Sequence, residues 1–197
     1  MYKAILFDFF GVFCSDLTLS WFKKSVPHYE QRLDAFYELC RRSDRGEMTL
    51  LAFHEELAKL THMSVDEVTI GIEKEAVINQ PLIDFTKSLK NRYKMAIVSN
   101  ATDEWINPIV SEHGMSTFFD AMIISGNIGS VKPEKAIFDY ALNMLAVRAD
   151  EAVFIDDRLP NVEAATSYGI KSLLFTGDNT TLIKELEELG VSSSMME

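Results

Sequence analysis

Cysteine is scarce: 197 residues hold only Cys14 and Cys40. Two cysteines exclude a disulfide-framed scaffold, and free, partly buried thiols in a reducing compartment are expected. Long hydrophobic runs are absent too, with none approaching the roughly 18 residues of a membrane span. The apolar stretch Ala4–Phe7 ends in Asp8 and is too short for the core of a secretory leader. A soluble, cytoplasmic protein with no membrane partner is expected. Positive charge is in short supply, with 19 Lys and Arg against 30 Asp and Glu and a net charge of −11. Without a basic stripe to neutralise phosphates, nucleic acid is not an expected partner. The one basic cluster, Arg41, Arg42 and Arg45, reads as a solvated helix end. Internal repeats and low-complexity segments are also missing.

What is present suits a packed core, since 47% of the residues are hydrophobic. The length allows one domain with a sizeable insertion. Five short apolar runs, at about 4–7, 95–98, 121–124, 153–155 and 172–175, read as strands. Helical segments separate them: 82–89, 103–114 with a break or kink near Pro108, 134–145 with Pro133 in its first turn, one opened by Pro160 and ended by Gly169, and 180–189. Alternation of this kind predicts an α/β fold with a parallel sheet covered on both faces. From about residue 16 to 79 only helical periodicity is found. Leu33, Phe36, Tyr37 and Cys40 share one helix face, and Leu51, Phe53, Leu57 and Leu60 another. Thr49 is placed to cap the second of these, and Ser64 with Glu67 forms a capping box. A helical insert therefore interrupts the α/β domain early. The tail 192–197 carries no apolar period and is expected to fray.

In an open parallel sheet, ligands bind beyond the carboxyl ends of the strands. Asp8 follows the first strand, Ser99-Asn100 the second, Lys132-Pro133 the loop after the third, and Asp156-Asp157 the fourth. Each alone reads more readily as a turn, a cap or solvated surface. Together, in order, they place a nucleophile-type carboxylate, polar donors, a cation and an acidic pair on one rim. That set suits attack on a phosphoryl group beside a hard metal ion.

The segments FDFFGVF, IVSNA, GSVKPEKAIF and FIDD followed by RLPN resemble the four motifs of the haloacid dehalogenase-like (HAD) superfamily. The resemblance is to members with a helical cap inserted after the first motif. It is closest in kind to bacterial sugar-phosphate phosphatases and the N-terminal phosphatase domain of soluble epoxide hydrolase. It implies a Rossmann-like core over 1–15 and 82–197, with five parallel strands, and an all-helical cap over 16–81. It implies a Mg²⁺-dependent phosphohydrolase acting on a small phosphorylated metabolite. Asp8 would be the nucleophile and Lys132 the cation that neutralises it and the phosphate. Asp8, the main-chain carbonyl of Phe10, and Asp157 would hold Mg²⁺, with Asp156 an auxiliary member. Ser99 and the main chain near Phe9, Phe10 and Asn100 would bind phosphoryl oxygens.

Phe10 departs from the pattern. A second Asp is expected there, the carboxyl that protonates the leaving oxygen and later activates water. General acid/base catalysis is typically worth about 10²–10⁴-fold, so a slow or leaving-group-selective enzyme is expected. A cap residue could replace the missing group, and Asp16, Glu47 and His54 are the candidates; Asp16 also reads as a helix N-cap. A non-catalytic, phosphometabolite-binding or interaction protein is one alternative. A 2-haloacid dehalogenase using Arg41 or Arg42 on halide is another, disfavoured by the acidic pair. Cys14 reads as a small buried hydrophobe. The cap aromatics Trp21, Phe22, Tyr29, Phe36, Tyr37 and Phe53 read as core.

Overall fold

A computed structural model describes residues 1–192 of the chain. The expected fraying of the tail lies outside the described residues from 193 onward. In chain order, the elements are β1 (Ala4–Phe7), α1 (Leu17–Ser25), α2 (Leu33–Asp44), α3 (Leu50–Thr61), α4 (Val65–Glu73), α5 (Gln80–Ser88), β2 (Lys94–Ser99), α6 (Asp103–Glu112), β3 (Ala121–Ile124), α7 (Ser125–Ile128), α8 (Lys135–Leu145), β4 (Ala152–Asp156), α9 (Leu159–Ser167), β5 (Lys171–Leu174) and α10 (Asn179–Glu188). No helix among the described residues is long and apolar enough to cross a membrane.

The five strands form one sheet in the order β3-β2-β1-β4-β5, and every pairing is parallel. Parallel strands covered on both faces need apolar side chains at every position, which explains the uninterrupted runs. Ile5, Phe7, Met95, Ile97, Val153 and Ile155 face one side, where α5, α6 and α10 add Leu82, Ile106 and Leu182. Ala4, Leu6, Ala96, Val98 and Phe154 face the other, against Ile137, Phe138 and Ala141 of α8 and Ala165 of α9. The chain runs outward from β1 through β2 to β3, then crosses back to place β4 on the other side of β1. That reversal makes a crevice between the carboxyl ends of β1 and β4, the usual ligand position in such sheets.

Helices α1 to α4 lie between β1 and α5, as the helical periodicity predicts. Their capping follows the expected chemistry. Asp16 accepts from the amide of Leu19, Thr49 from that of Ala52, and Ser64 and Glu67 form a reciprocal box. Phe22 of α1 stacks on Phe36 of α2 with ring centroids 4.2 Å apart. Both rings are fully buried or nearly so, worth roughly 1.5–3 kcal/mol each by area. The insert leaves and re-enters the core through two paired segments. Cys14 bridges Ile78 antiparallel, and the hydroxyl of Ser15 donates to the carbonyl of Glu75 at 2.6 Å. Asn79 closes this neck, its amide nitrogen donating to the carbonyl of Val12 at 3.0 Å and to Asn179 at 2.9 Å.

Three local expectations change. Helix α6 is not broken at Pro108, which leaves the kink as the form the expectation takes. Pro133 lies outside α8, whose N-cap is Glu134, and the Lys132–Pro133 peptide is cis. A turn closed by the Glu134 amide on the carbonyl of Val131, at 2.8 Å, occupies the place where the first helical turn was expected. Finally, Ser125-Gly126 does not simply end β3 but opens the short helical turn α7.

Candidate active site

Asp8 continues β1, its amide donating to the carbonyl of Ile155 at 2.8 Å. Its Oδ1 accepts from the Phe9 amide at 2.6 Å and from Lys132 Nζ at 2.7 Å. Among the described residues no donor reaches Oδ2, which is left to the cavity. Lys132 also binds Asp156 Oδ2 at 2.6 Å, so one buried ammonium bridges the ends of β1 and β4. Asn100 fixes the Lys132 loop by a two-way bond, accepting from the Lys132 amide at 2.7 Å and donating to its carbonyl at 2.9 Å. The Asp156 carboxylate is held in place from inside the protein. Its Oδ1 takes the Arg158 amide at 2.8 Å, and Asn161 donates to both oxygens at 3.0 and 3.1 Å.

Three carboxylates and one ammonium leave excess negative charge in a buried place. Burial first, then Asp156 and Asp157, push the Asp8 carboxyl well above its ordinary range, while Lys132 pulls it down. Asp157 is raised to about 6, by enclosure and then by Asp156. Lys132 is held protonated above its usual range, because Asp8 and Asp156 outweigh its desolvation. Such a site calls for a cation. Asp8, Asp156 and Asp157 each offer a carboxylate oxygen, all within 4.8 Å of one another, a hard-oxygen set of the kind Mg²⁺ prefers. Gly11 makes room for the Asp157 carboxylate. At φ +87° it turns the chain, and a Cβ there would lie 2.2 Å from Asp157 Oδ2. The residue Asp157 is exposed, yet its carboxylate packs inward over Gly11.

A cavity of about 360 Å³ opens beside these groups, lined by Asp8, Phe10, Ser99, Asn100, Lys132 and Asp157. Ser99 Oγ is buried there with no hydrogen-bond partner among the described residues. Phe10 is half-buried on the cavity wall, and its ring meets Phe9 edge-on at 5.0 Å. Phe9, whose main chain the resemblance assigns to phosphoryl binding, has its side chain in the core and its amide taken by Asp8, and it does not line the cavity. Asn100 lines the cavity, but its side-chain amide is committed to Lys132.

The insert supplies the opposite wall. Asp16 reaches the cavity while also capping α1. Glu47 does not reach it and lies 3.8 Å from both Arg41 and Arg42. Those arginines are outside the lining, so no insert arginine faces the site; the guanidinium that does is Arg158. His54 is buried against Trp105, with Nδ1 bonded to Thr69 Oγ1 at 2.8 Å, and burial lowers its pKa. Phe36, Tyr37 and Phe53 line the cavity as well as packing within the insert. Cys40 lines it too, and Cys14 is buried; burial pushes both thiols up, Cys14 to about 11, so both stay protonated.

Among the lining residues that sequence reasoning does not single out are Asp44, Trp105, Arg158 and Asn161. The last two sit in the RLPN segment just after Asp156-Asp157, where a strand end feeding a helix gave a usable signal. Asp44 and Trp105 carry no local signal, since only tertiary packing brings α2 and α6 to this cavity.

The chain is 23% identical over 189 residues to the D-ribitol-5-phosphate phosphatase of Bacteroides thetaiotaomicron, covering 87% of this chain and 91% of that one. It is 28% identical over 185 residues to drimenol cyclase drtB of Aspergillus calidoustus. That match covers 89% of this chain, which spans 34% of the cyclase. A crystal structure of a HAD family enzyme from Bacteroides thetaiotaomicron, in complex with magnesium and inorganic phosphate, aligns with a TM-score of 0.75 at 21% identity. It covers 92% of this chain and 99% of that one, and at this identity the fold is what is shared. The model of the haloacid dehalogenase-like hydrolases matches residues 2–169, and the chain belongs to that family.

Proposed function

We propose that the chain is a Mg²⁺-dependent phosphohydrolase acting on a small phosphorylated metabolite through an aspartyl-phosphate at Asp8. The observation that carries this reading is the convergence of Asp8, Asp156, Asp157 and Lys132 where the sheet reverses. The orphan hydroxyl of Ser99 beside them supports it. The phosphatase name of the Bacteroides relative points the same way.

Asp8 attacks phosphorus, and the bond from phosphorus to the leaving oxygen breaks. Water then attacks the same phosphorus; the bond to Asp8 breaks, phosphate departs and the carboxylate is restored. Lys132 neutralises Asp8 and the incoming phosphate together, and Ser99 donates to a phosphoryl oxygen. Asp8, the carbonyl of Phe10, and Asp157 would hold Mg²⁺, with Asp156 behind them. Bound there, the ion would offset repulsion between carboxylate and anionic substrate. The core would be 1–15 and 82–197 and the cap 16–81. The alcohol part of the ester would face the cap wall of Phe36, Tyr37 and Phe53, with Trp105 beside it. Phe10 offers no proton, so the enzyme is slow or leaving-group-selective unless another carboxyl serves.

A panel of phosphate esters, including p-nitrophenyl and acetyl phosphate, tests this with and without Mg²⁺. Phosphate release that stops on chelation is expected. No turnover of any ester would sink the proposal and leave the reading that Phe10 favours, a phosphometabolite-binding protein without catalysis. Halide release from a 2-haloacid, indifferent to EDTA, would instead establish a dehalogenase.

A further inference from the structure

The C-terminal end of α2 is fastened to the segment that carries Lys132. Ser125 Oγ donates to the main-chain carbonyl of Asp44 and accepts from the amide of Ala101 at 3.0 Å. Arg45 donates to the carbonyl of Gly129 at 3.2 Å and pairs with Glu134. Gly46, at φ +72°, lets the two segments touch, since a Cβ there would lie 2.3 Å from the carbonyl oxygen of Gly126. Residues 44–46 thus hold to 125–134 on both sides of the turn, and Lys132 lies within that stretch. Asp44 lines the cavity with Asp8, Phe10 and Lys132, and its carboxyl feels the charges of Arg158 and Lys132, which line the same cavity. No described residue donates a hydrogen bond to its carboxyl.

We propose that Asp44 is the general acid of this site, protonating the leaving oxygen in place of the carboxyl that position 10 lacks. This rests on the phosphohydrolase reading above. When Asp8 forms its bond to phosphorus and the ester bond breaks, the electron pair stays on the leaving oxygen. The proton of the Asp44 carboxyl goes to that oxygen, so the alcohol departs neutral and Asp44 is left as a carboxylate. It recovers a proton from solvent or from the water that later attacks phosphorus.

The other candidates on the wall serve this less well. Asp16 is committed to the amide of Leu19, and the Cys40 thiol is pushed up too far to give its proton readily. Four groups face Asp44: Arg158 and Lys132 from the core, and Asp16 and Cys40 from the insert. Burial outweighs the two cations and, with a smaller push from Asp16, lifts Asp44 to about 7. An acid that titrates near neutral pH is half-protonated there and strong enough to give its proton away. A raised value means the acid form is present below about 7 and is lost as pH rises through it.

Two esters of similar shape test the role. p-Nitrophenyl phosphate loses its leaving group without a proton, whereas benzyl phosphate needs one. Values of kcat/KM report only on steps up to formation of the aspartyl-phosphate. With Mg²⁺ present, Asp44→Asn should lower kcat/KM for benzyl phosphate by about 10²–10⁴-fold. It should leave p-nitrophenyl phosphate within a few-fold and remove the decline of benzyl phosphate turnover above pH 7. Retained p-nitrophenyl phosphate turnover also shows that the variant is folded. Adding Phe10→Asp to Asp44→Asn should restore benzyl phosphate turnover. Equal losses on both esters, or an unchanged rate on benzyl phosphate, would overturn the role of Asp44 while leaving the phosphohydrolase reading intact. An unsubstituted protein that turns over neither ester overturns the role of Asp44, and one that turns over no phosphate ester of the panel overturns the phosphohydrolase reading as well.

Discussion

Gly11 and Phe10 stand side by side and have opposite consequences. Gly11 is indispensable for its lack of a side chain, because the Asp157 carboxylate occupies the place a Cβ would take. We predict that Gly11→Ala destabilises the protein by about 1 kcal/mol or more, since alanine resists positive φ. It should also weaken Mg²⁺ binding, measured by calorimetry, well beyond that loss of stability. Unchanged Mg²⁺ affinity would argue against Asp157 as a ligand. Phe10 removes a proton donor but leaves the main-chain carbonyl at that position. Asp8, Ser99-Asn100 and Asp156-Asp157 were legible because each closes an apolar run at the carboxyl end of a strand, whereas Lys132 lies in the loop after β3 and is legible only by its place in the order. Asp44 was not legible, since an acidic residue closing an amphipathic helix looks like any solvated helix end. Of Asp16, Glu47 and His54, the insert groups able to carry a proton that the sequence points to, Asp16 alone lines the cavity.

Among the elements, the strands were the most readable, because a doubly covered parallel strand has no polar alternation to blur it. Their bounds shifted by a residue or so where the ladder extends past the apolar run, as at Lys94 and Ser99 of β2. Helix α7 was not readable, because its four residues carry no period and look like a turn. Helix α5 begins at Gln80, with Pro81 in its first turn and Asn79 as its cap. That cap does double service, since the Asn79 side chain also ties the neck of the insert to Val12 and Asn179. Replacing Asn79 by Ala should cost about 1–2 kcal/mol, from the lost cap and an unpaired partner. Denaturant unfolding would show this as a lower midpoint at constant slope, and a midpoint unchanged within error would refute the shared role.

At the scale of the whole molecule, the cavity belongs neither to the sheet nor to the insert alone. The sheet supplies Asp8, Ser99, Lys132 and Asp157, and the insert supplies the apolar wall and Asp44. Sequence patterns reveal each layer, because periodicity is a local property. The seam between them, Ser125 to Asp44 and Arg45 to Glu134, joins residues more than 80 positions apart and leaves no periodic trace. The aromatics of the insert show the same limit. Helical spacing predicts a buried face for Phe36 and Phe53 but does not say that the same face also borders a cavity. The central claim is attack on phosphorus by Asp8 with Mg²⁺ present. It is tested most directly by phosphate release from p-nitrophenyl phosphate, comparing the unsubstituted protein with Asp8→Asn, each with Mg²⁺ and after chelation. Mg²⁺-dependent release that Asp8→Asn reduces to background is the predicted result; release by Asp8→Asn at the unsubstituted rate, or release untouched by chelation, would contradict it.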